Sequence, residues 1–299
     1  LSNSGATGSV SGNYNMGGLV GAVAWGYIIN SYSHVSVYSP YQAGGIVGLC
    51  GWSNPGYIIH CYATGTVSPA DGNGIGGIAG WLYNGRATEC YWDQQSSGTT
   101  TGTNTGIQAR NTAEMMQQDT FANWNFNHLW QIDEGSSYPT HQNLDLYPYP
   151  QVLTTNDLSG AGTSEQPYLI HNADELNVMR QNPGASYKLA NDIDLSSSVV
   201  WNSGMGWETV GNASTPFTGT LDGDGKQILG LSLVRPLDDG YGLIGEASAA
   251  SVHNLKLLQA NILANTYVGG VTGIARQCSF ADIDFDGAIS AQEHLGGIV

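Results

Sequence analysis

A five-residue phrase recurs along this chain and limits what it can fold into. It reads GGLVG at Gly17–Gly21, GGIVG at Gly44–Gly48 and GGIAG at Gly76–Gly80. It returns as GGVTG at Gly269–Gly273 and GGIV at Gly296–Val299, preceded by a degenerate copy, GLIGE, starting at Gly242. The copies start 27 and 32 residues apart in the first set and 27 and 27 apart in the second. A fixed period in this range is the signature of one structural unit stacked on itself.

Each unit has a second landmark: Ile29-Asn30-Ser31-Tyr32, Ile59-His60-Cys61-Tyr62 and Thr88-Glu89-Cys90-Tyr91 in the first set, Val252-His253-Asn254-Leu255 and Phe280-Ala281-Asp282-Ile283 in the second. Between the landmarks lie short alternating runs such as Val35-Ser36-Val37, the period of a strand. Glycine and asparagine separate the runs, as turns require. The expected fold class is all-β: a parallel β-solenoid, or β-helix, right-handed as β-helices generally are. Two tandem blocks are expected, with short capping helices. Leu19 and Val20 then stack on Ile46 and Val47 and these on Ile78 and Ala79, as an inner ladder. The flanking glycines are expected to take corner dihedrals closed to other residues. Ser31, Cys61 and Cys90 fall in one column, either as small core residues or with Cys61 and Cys90 disulfide-bonded.

Composition narrows the class of protein. There are 42 glycines, about twice the ordinary usage of roughly 7%, without the G-X-Y period of collagen. Only 11% of residues are charged, against about 25% in ordinary domains, so the polar surface is Asn, Ser, Thr, Gln and Tyr, as suits an extracellular β protein. The net charge of −16 with 8 basic residues leaves no Lys/Arg stripe for nucleic acid or anionic membrane. The four cysteines fit no zinc or CxxC pattern, and no stretch is apolar and long enough to span a bilayer. Because the chain begins and ends inside repeats, it reads as part of a longer protein.

The succession GGLVG, then G-x-I-x-N-S/C-Y-A-T-G-x-V, resembles the GLUG-motif repeat of bacterial surface and secreted proteins. Gly17–Val37, Gly44–Val67 and Gly76–Trp92 carry the likeness well, and Gly242–Ile262 and Gly269–Ile289 more loosely. The resemblance implies an extracellular, adhesin-like β-helical segment. It supplies no ligand and no catalytic residue.

The period lapses between about Ser96 and Gly240. Thr99–Thr105 reads as a Thr/Gly loop. Asn111-Thr112-Ala113-Glu114 reads as a capping box opening a helix over Thr112–Gln118. Phe121, Trp124, Phe126 and Trp130 then put four large aromatics into ten residues. They are expected to plug the open end of the first block; the alternative is a glycan-binding platform built from Trp124 and Trp130. A second box, Asn172-Ala173-Asp174-Glu175, opens a helix to about Gln181, a lid on the second block. The expected division is 1–98 for the first block, 99–152 for the aromatic cap and junction, and 153–299 for the second block, with the junction at Pro148–Asn156.

Three constellations carry potential chemistry. Asp282–Glu293 matches a twelve-residue calcium loop, with Asp282, Asp284, Asp286 and Glu293 as ligands. It lacks the flanking helices and lies in phase with the repeat, so the expected form is a strand with Ile283 and Phe285 inward and the three aspartates outward. Asp192/Asp194 and Asp222/Asp224 are carboxylate pairs about 6.6 Å apart on a strand, a spacing that an inverting glycosidase uses and that any D-x-D strand provides. The seven histidines are dispersed and form no HExxH.

The function expected is therefore a non-catalytic, extracellular structural or adhesive segment of a longer bacterial surface or filament protein, with no obligatory cofactor. Its partners would be glycans, surface proteins or further copies of itself. The alternatives are a polysaccharide-cleaving β-helix using an Asp pair, and a self-assembling fibre subunit.

Overall fold

The computed structural model describes residues 1–68, 74–102 and 106–299; the end of the expected Thr99–Thr105 loop lies outside them. The described chain is mostly strand with few and short helices, and nearly all of its strand pairs are parallel. It divides into two compact units, one of residues 1–126 and 130–142, the other of residues 127–129 and 143–299. The aromatic segment after the first repeats belongs to the first unit as far as Gln142, except for Asn127–Leu129.

In the first unit, pairing follows the sequence period. Val20 pairs with Val47 and Val47 with Ala79. Ile28 pairs with Ile58 and Ile58 with Ala87. The glycine phrases pair through Met16–Gly17, Ala43–Gly44 and Ile75–Gly76. A longer sheet runs Gly5–Ser11, Tyr32–Tyr38, Tyr62–Ala63, Cys90–Asp93 and Ile107–Arg110. Identical or similar side chains thus meet one repeat apart. Ile28, Ile46, Val47, Ile58, Ile78 and Ala79 are buried together, with Leu19 and Val20 packed against them. Burying an aliphatic side chain of this size contributes about 1.5–3 kcal/mol, so each repeat draws stability from its neighbours.

The glycines of the phrase have a reason other than the one the sequence suggests. None of them has a positive φ. What they lack is room. A Cβ on Gly18 would lie 2.2 Å from the Gly45 carbonyl oxygen, and one on Gly45 would lie 2.2 Å from that of Gly77. A Cβ on Gly77 would meet the Trp92 ring at 2.2 Å. Left-handed corners are taken instead by Asn3, Asn30, His60 and Glu89, at φ 47, 49, 50 and 49, the positions just before Ser4 and before the Ser31–Cys61–Cys90 column. Asn adopts this conformation readily; His and Glu follow because their neighbours in the column fix the backbone, with Asn30 N–H bonded to the Ile59 carbonyl and His60 N–H to that of Thr88.

In the second unit, Asn172 caps the helix Ala173–Asn177, accepting from Glu175 N–H at 2.9 Å. The chain tightens to a 3₁₀ turn over Val178–Gln181. A sheet then runs Tyr168–Ile170, Ser186–Leu189, Thr220–Asp222, Ser251–Ala264 and Ser279–Ser290, every pair parallel. Beside it Ile193, Ile228, Leu257 and Phe285 align in register.

The expected helix over Thr112–Gln118 is absent. Its capping box forms, with Asn111 Oδ1 accepting from Glu114 N–H and Glu114 accepting from Asn111 N–H. The chain makes only two 3₁₀ turns, Glu114–Met116 and Gln118–Thr120. The Met116 carbonyl accepts from Gly135 N–H at 2.8 Å, so it is not available to extend a helix, and Gln117 between the turns is extended.

Candidate functional site

Three regions hold the side chains that sequence singles out. The first is the face of the long sheet in the first unit. Ser31, Ser33, Cys61, Ala63, Cys90 and Trp92 point inward, so Tyr32, Tyr62 and Tyr91 between them point out. Tyr32 and Tyr62 stack at 5.4 Å and 10°. The aromatic segment lies on this tyrosine row. Phe121 meets Tyr91 edge-on at 5.2 Å, and Trp130 lies 6.2 Å from both Tyr32 and Tyr62. Trp124 Nε1 donates to the Glu89 carbonyl at 3.0 Å. The segment therefore crosses the face of several repeats and does not plug the end of the stack; the strand Ile107–Arg110 is what pairs beyond Cys90–Asp93. Trp124 and Trp130 are 5% and 0% exposed, so neither offers a ring face to a glycan.

Polar contacts pin the segment down. Tyr62 donates to the Pro139 carbonyl at 2.6 Å, and Tyr138 donates to Asp93 Oδ2 at 2.7 Å. Asp93 also accepts from Thr112 Oγ1 and from the N–H groups of Gln95 and Ser96. Burial pushes its carboxyl up, but these hydrogen bonds together hold it below the usual range. Burial, and then Asp93, raise the Tyr138 phenol to about 12. His60 contacts Glu89 at 2.8 Å, and Glu89 accepts from Asn123. His141 bonds the Asn30 carbonyl, and His34 lies against Thr64 and Tyr62. Burial lowers the pKa of both His34 and His141. Tyr62, Tyr138, Asp93, Glu89 and His141 all attach the segment to the sheet.

The cysteine column is as read, with free thiols. Cys61 and Cys90 are buried and unbonded to each other. Cys61 donates to the Ile59 carbonyl at 3.2 Å and Cys90 to that of Thr88 at 3.4 Å, the same two-residue reach that Ser31 makes to Ile29 at 2.8 Å.

The carboxylates of the second unit are engaged: Asp192 and Asp194 line one pocket with Asp174, Tyr147 and Trp201, and Asp222 and Asp224 lie outside it. Asp192 accepts from Gln227 N–H at 3.0 Å, and Asp194 bonds the backbone and hydroxyl of Ser196. Asp222 accepts from Asp224 N–H and from Asn254, and Asp224 pairs with Lys188 at 2.9 Å. These contacts hold local turns at Asp194 and Asp222 and tie Asp192, Asp222 and Asp224 to residues 32 to 36 positions away. The calcium-loop match fails on geometry: Asp282, Asp284 and Asp286 lie along the strand Ser279–Ser290, and Glu293 is in the next one, Glu293–Gly296. Ile283 and Phe285 are the half-buried residues of the run and the three aspartates are exposed. Asp282, at φ 52, takes the left-handed corner that Asn254 takes at φ 56 one repeat earlier. Among the described residues no group of three or more His, Cys, Asp or Glu is placed to hold a metal.

The feature that sequence reasoning missed is a row of exposed aromatics at one turn of the first unit. The turns joining Val20–Val23 to Gly26–Ile29, Val47–Cys50 to Gly56–Ile59 and Ala79–Leu82 to Arg86–Thr88 carry Trp25, Trp52 and Tyr83 respectively. These are 79%, 65% and 52% exposed. Beside them Tyr27 stacks on Tyr57 at 5.2 Å. The signal was present in sequence as one aromatic per repeat a few residues after each glycine phrase, but aromatics in a repeat are ordinarily core.

Comparison with known proteins gives two relatives of note. The chain is 34% identical over 151 residues to Halomucin of Haloquadratum walsbyi, a match covering 48% of this chain and 2% of that protein. It is 37% identical over 124 residues to a protein of Evansella cellulosilytica named as a Gly-rich membrane protein, covering 38% of this chain and 14% of that one. The chain thus spans a small fraction of either relative. Neither name is that of an enzyme. No protein-family model matches the chain, and no solved structure matches it. No helix among the described residues is long and apolar enough to cross a membrane.

Proposed function

We propose that this chain is a non-catalytic scaffold segment of a cell-surface protein, built as two parallel β-solenoid blocks of the GLUG-motif kind. The coils would be right-handed, the hand that parallel crossovers take. The observation that carries the reading is the register: Tyr27, Ile28 and Ile29 pair residue for residue with Tyr57, Ile58 and Ile59, one repeat on. Such columns build a rigid rod whose length grows with repeat number, and a rod serves to extend and display. The engagement of Asp192, Asp194, Asp222 and Asp224 by backbone N–H groups, Ser196, Asn254 and Lys188 supports a non-catalytic role. The low charge, the Asn-, Ser- and Thr-rich surface and a relative named as a membrane protein support a place at the cell surface.

The test is labelling of cells that produce the protein with an antibody raised against this chain. Labelling of intact cells, lost after brief protease treatment of the cell surface, is the expected result. Labelling that requires permeabilised cells would overturn the proposal.

A further inference from the structure

We propose that the turn row Trp25, Trp52 and Tyr83 is a binding site for an uncharged polysaccharide. This rests on the surface-scaffold reading and names a ligand for it. The first observation is exposure. Three large rings at equivalent turns of three consecutive repeats, each more than half exposed, form a patch of the kind that marks an interaction site on a soluble surface. Isolated exposed aromatics need no explanation, but these recur with the repeat.

The second observation is rigidity. Tyr83 meets Trp52 edge-on at 5.6 Å and Trp81 edge-on at 5.0 Å, and Tyr27 and Tyr57 stack beside the row. The turns themselves are held by backbone bonds between repeats: Trp25 N–H to the Pro55 carbonyl, Gly51 N–H to Val23, and Tyr83 N–H to Cys50. The Trp52 and Tyr83 rings, fixed in this way, lose little conformational freedom on binding, and the backbone of Trp25 is held in its turn. Neighbouring strands lie about 4.8 Å apart, so the first and third turns are separated by roughly 10 Å, a length comparable to one disaccharide unit of a polymer.

The third observation is charge, and it selects the occupant. From Leu1 to Thr88 the sequence contains no Asp, Glu, Lys or Arg other than Asp71 and Arg86. The turns themselves contribute Ala24, Gly51, Ser53, Asn54, Pro55, Asn84 and Gly85 beside the rings. An ionic partner would find almost nothing to pair with, Arg86 being the single cation of this stretch. A neutral sugar polymer needs what the row supplies. Its C–H faces pack on ring faces, and its hydroxyls bond amide, hydroxyl and phenol groups that remain in water. Repetition along the row converts weak single-ring contacts into useful affinity for a polymer.

The experiment is affinity gel electrophoresis of the whole chain in gels containing galactomannan, laminarin, xyloglucan or dextran, with polygalacturonate as the anionic comparison. Retardation by at least one neutral polymer is expected, with the apparent affinity at least tenfold weaker in a W25A/W52A/Y83A variant. A Y14A/Y41A variant removes another exposed stacked pair and should be retarded like the parent. Far-UV circular dichroism and the melting midpoint establish that each variant is folded. The proposal is overturned by no retardation in any neutral polymer, by retardation in polygalacturonate alone, or by unchanged retardation of the triple variant. It is also overturned if sedimentation shows the parent self-associating through the row and the triple variant monomeric. Failure here leaves the intact-cell labelling untouched, whereas failure of the surface reading would appear in the labelling first.

Discussion

The phenol of Tyr62 donates to the carbonyl of Pro139 at 2.6 Å, joining residues 77 apart in sequence. The bond is buried and sits at the middle of the tyrosine row, so it fastens the aromatic segment to the sheet face. Tyr62→Phe keeps the ring and its stacking on Tyr32 and removes the hydroxyl, including its 3.3 Å contact with His34 Nε2. The cost expected is about 1–3 kcal/mol, that of leaving a buried carbonyl unsatisfied. Urea denaturation of the two proteins measures it. An unchanged midpoint would mean that the segment is held by ring packing alone.

The same interface should loosen in acid, in two stages. Burial depresses His34 and His141, so the unfolded chain binds protons more readily at these sites. Their contribution to stability is complete above the ordinary histidine value of 6.5 and is lost as pH falls below it. Asp93 is also depressed in the folded state. Its contribution is present above its unfolded value of 3.8 and disappears as pH falls through the lower folded value. Tryptophan fluorescence followed from pH 8 to pH 2 reports on Trp124 and Trp130. The H34Q/H141Q variant should lose the upper stage and keep the lower. An upper stage that survives in this variant would assign it to other groups.

Gly45 should tolerate no side chain. An added Cβ would lie 2.2 Å from the Gly77 carbonyl oxygen and 2.6 Å from the Ala63 Cβ, and neither neighbour can retreat without moving a paired strand. Gly45→Ala should cost about 3 kcal/mol, at the upper end of overpacking effects. Gly184→Ala is the control, because its nearest neighbour would be 3.5 Å away at Thr218 Oγ1. Equal melting temperatures for the two variants would refute the close-approach account of the glycine phrase.

How far the sequence could be read follows from these cases. The inner ladder of Val20, Val47 and Ala79 was legible because a period names its own partners. The reason for the glycines was not, since a residue that avoids a clash and one that takes a left-handed φ look alike in a string. His60 and Glu89 hide left-handed corners that their residue types do not announce. The Asn111 box was legible, but the capture of the Met116 carbonyl by Gly135 is a long-range event. Trp124 and Trp130 were legible as packing residues; which surface they cover was not, because the outward tyrosine row is visible only once the inward residues are known. The exposed row at Trp25, Trp52 and Tyr83 escaped because aromatic content alone does not distinguish a core from a platform.

The cysteines supply a direct check on the column. Cys50, Cys61 and Cys90 are buried. Burial raises the Cys50 thiol to about 12 and moves that of Cys90 well up. Cys278 is partly exposed. In a native Ellman titration one thiol should react within minutes, and all four of the chain's cysteines should react in guanidinium without reductant. Two reactive thiols in guanidinium would reveal a Cys61–Cys90 disulfide.

Asp282 separates a backbone role from a metal role. It occupies the left-handed corner aligned with Asn254, and Asn and Asp share the ability to adopt that conformation. Asp282→Asn should therefore leave the melting temperature unchanged, although it removes the first carboxylate of the apparent calcium loop. Asp282→Val keeps a side chain of similar bulk but branches it at Cβ, which the left-handed region disfavours, and should cost about 1–2 kcal/mol. If a calcium site existed, the order would reverse. The Asn variant would lose calcium-dependent stabilisation, and the parent would gain stability with metal as binding to the folded state demands. Melting curves of all three proteins with 5 mM EDTA and with about 5 mM calcium, above the weak range of extracellular sites, decide between them. Superimposable parent curves with the Val variant alone shifted are expected. A calcium-dependent rise in the parent that Asp282→Asn abolishes would restore the metal site.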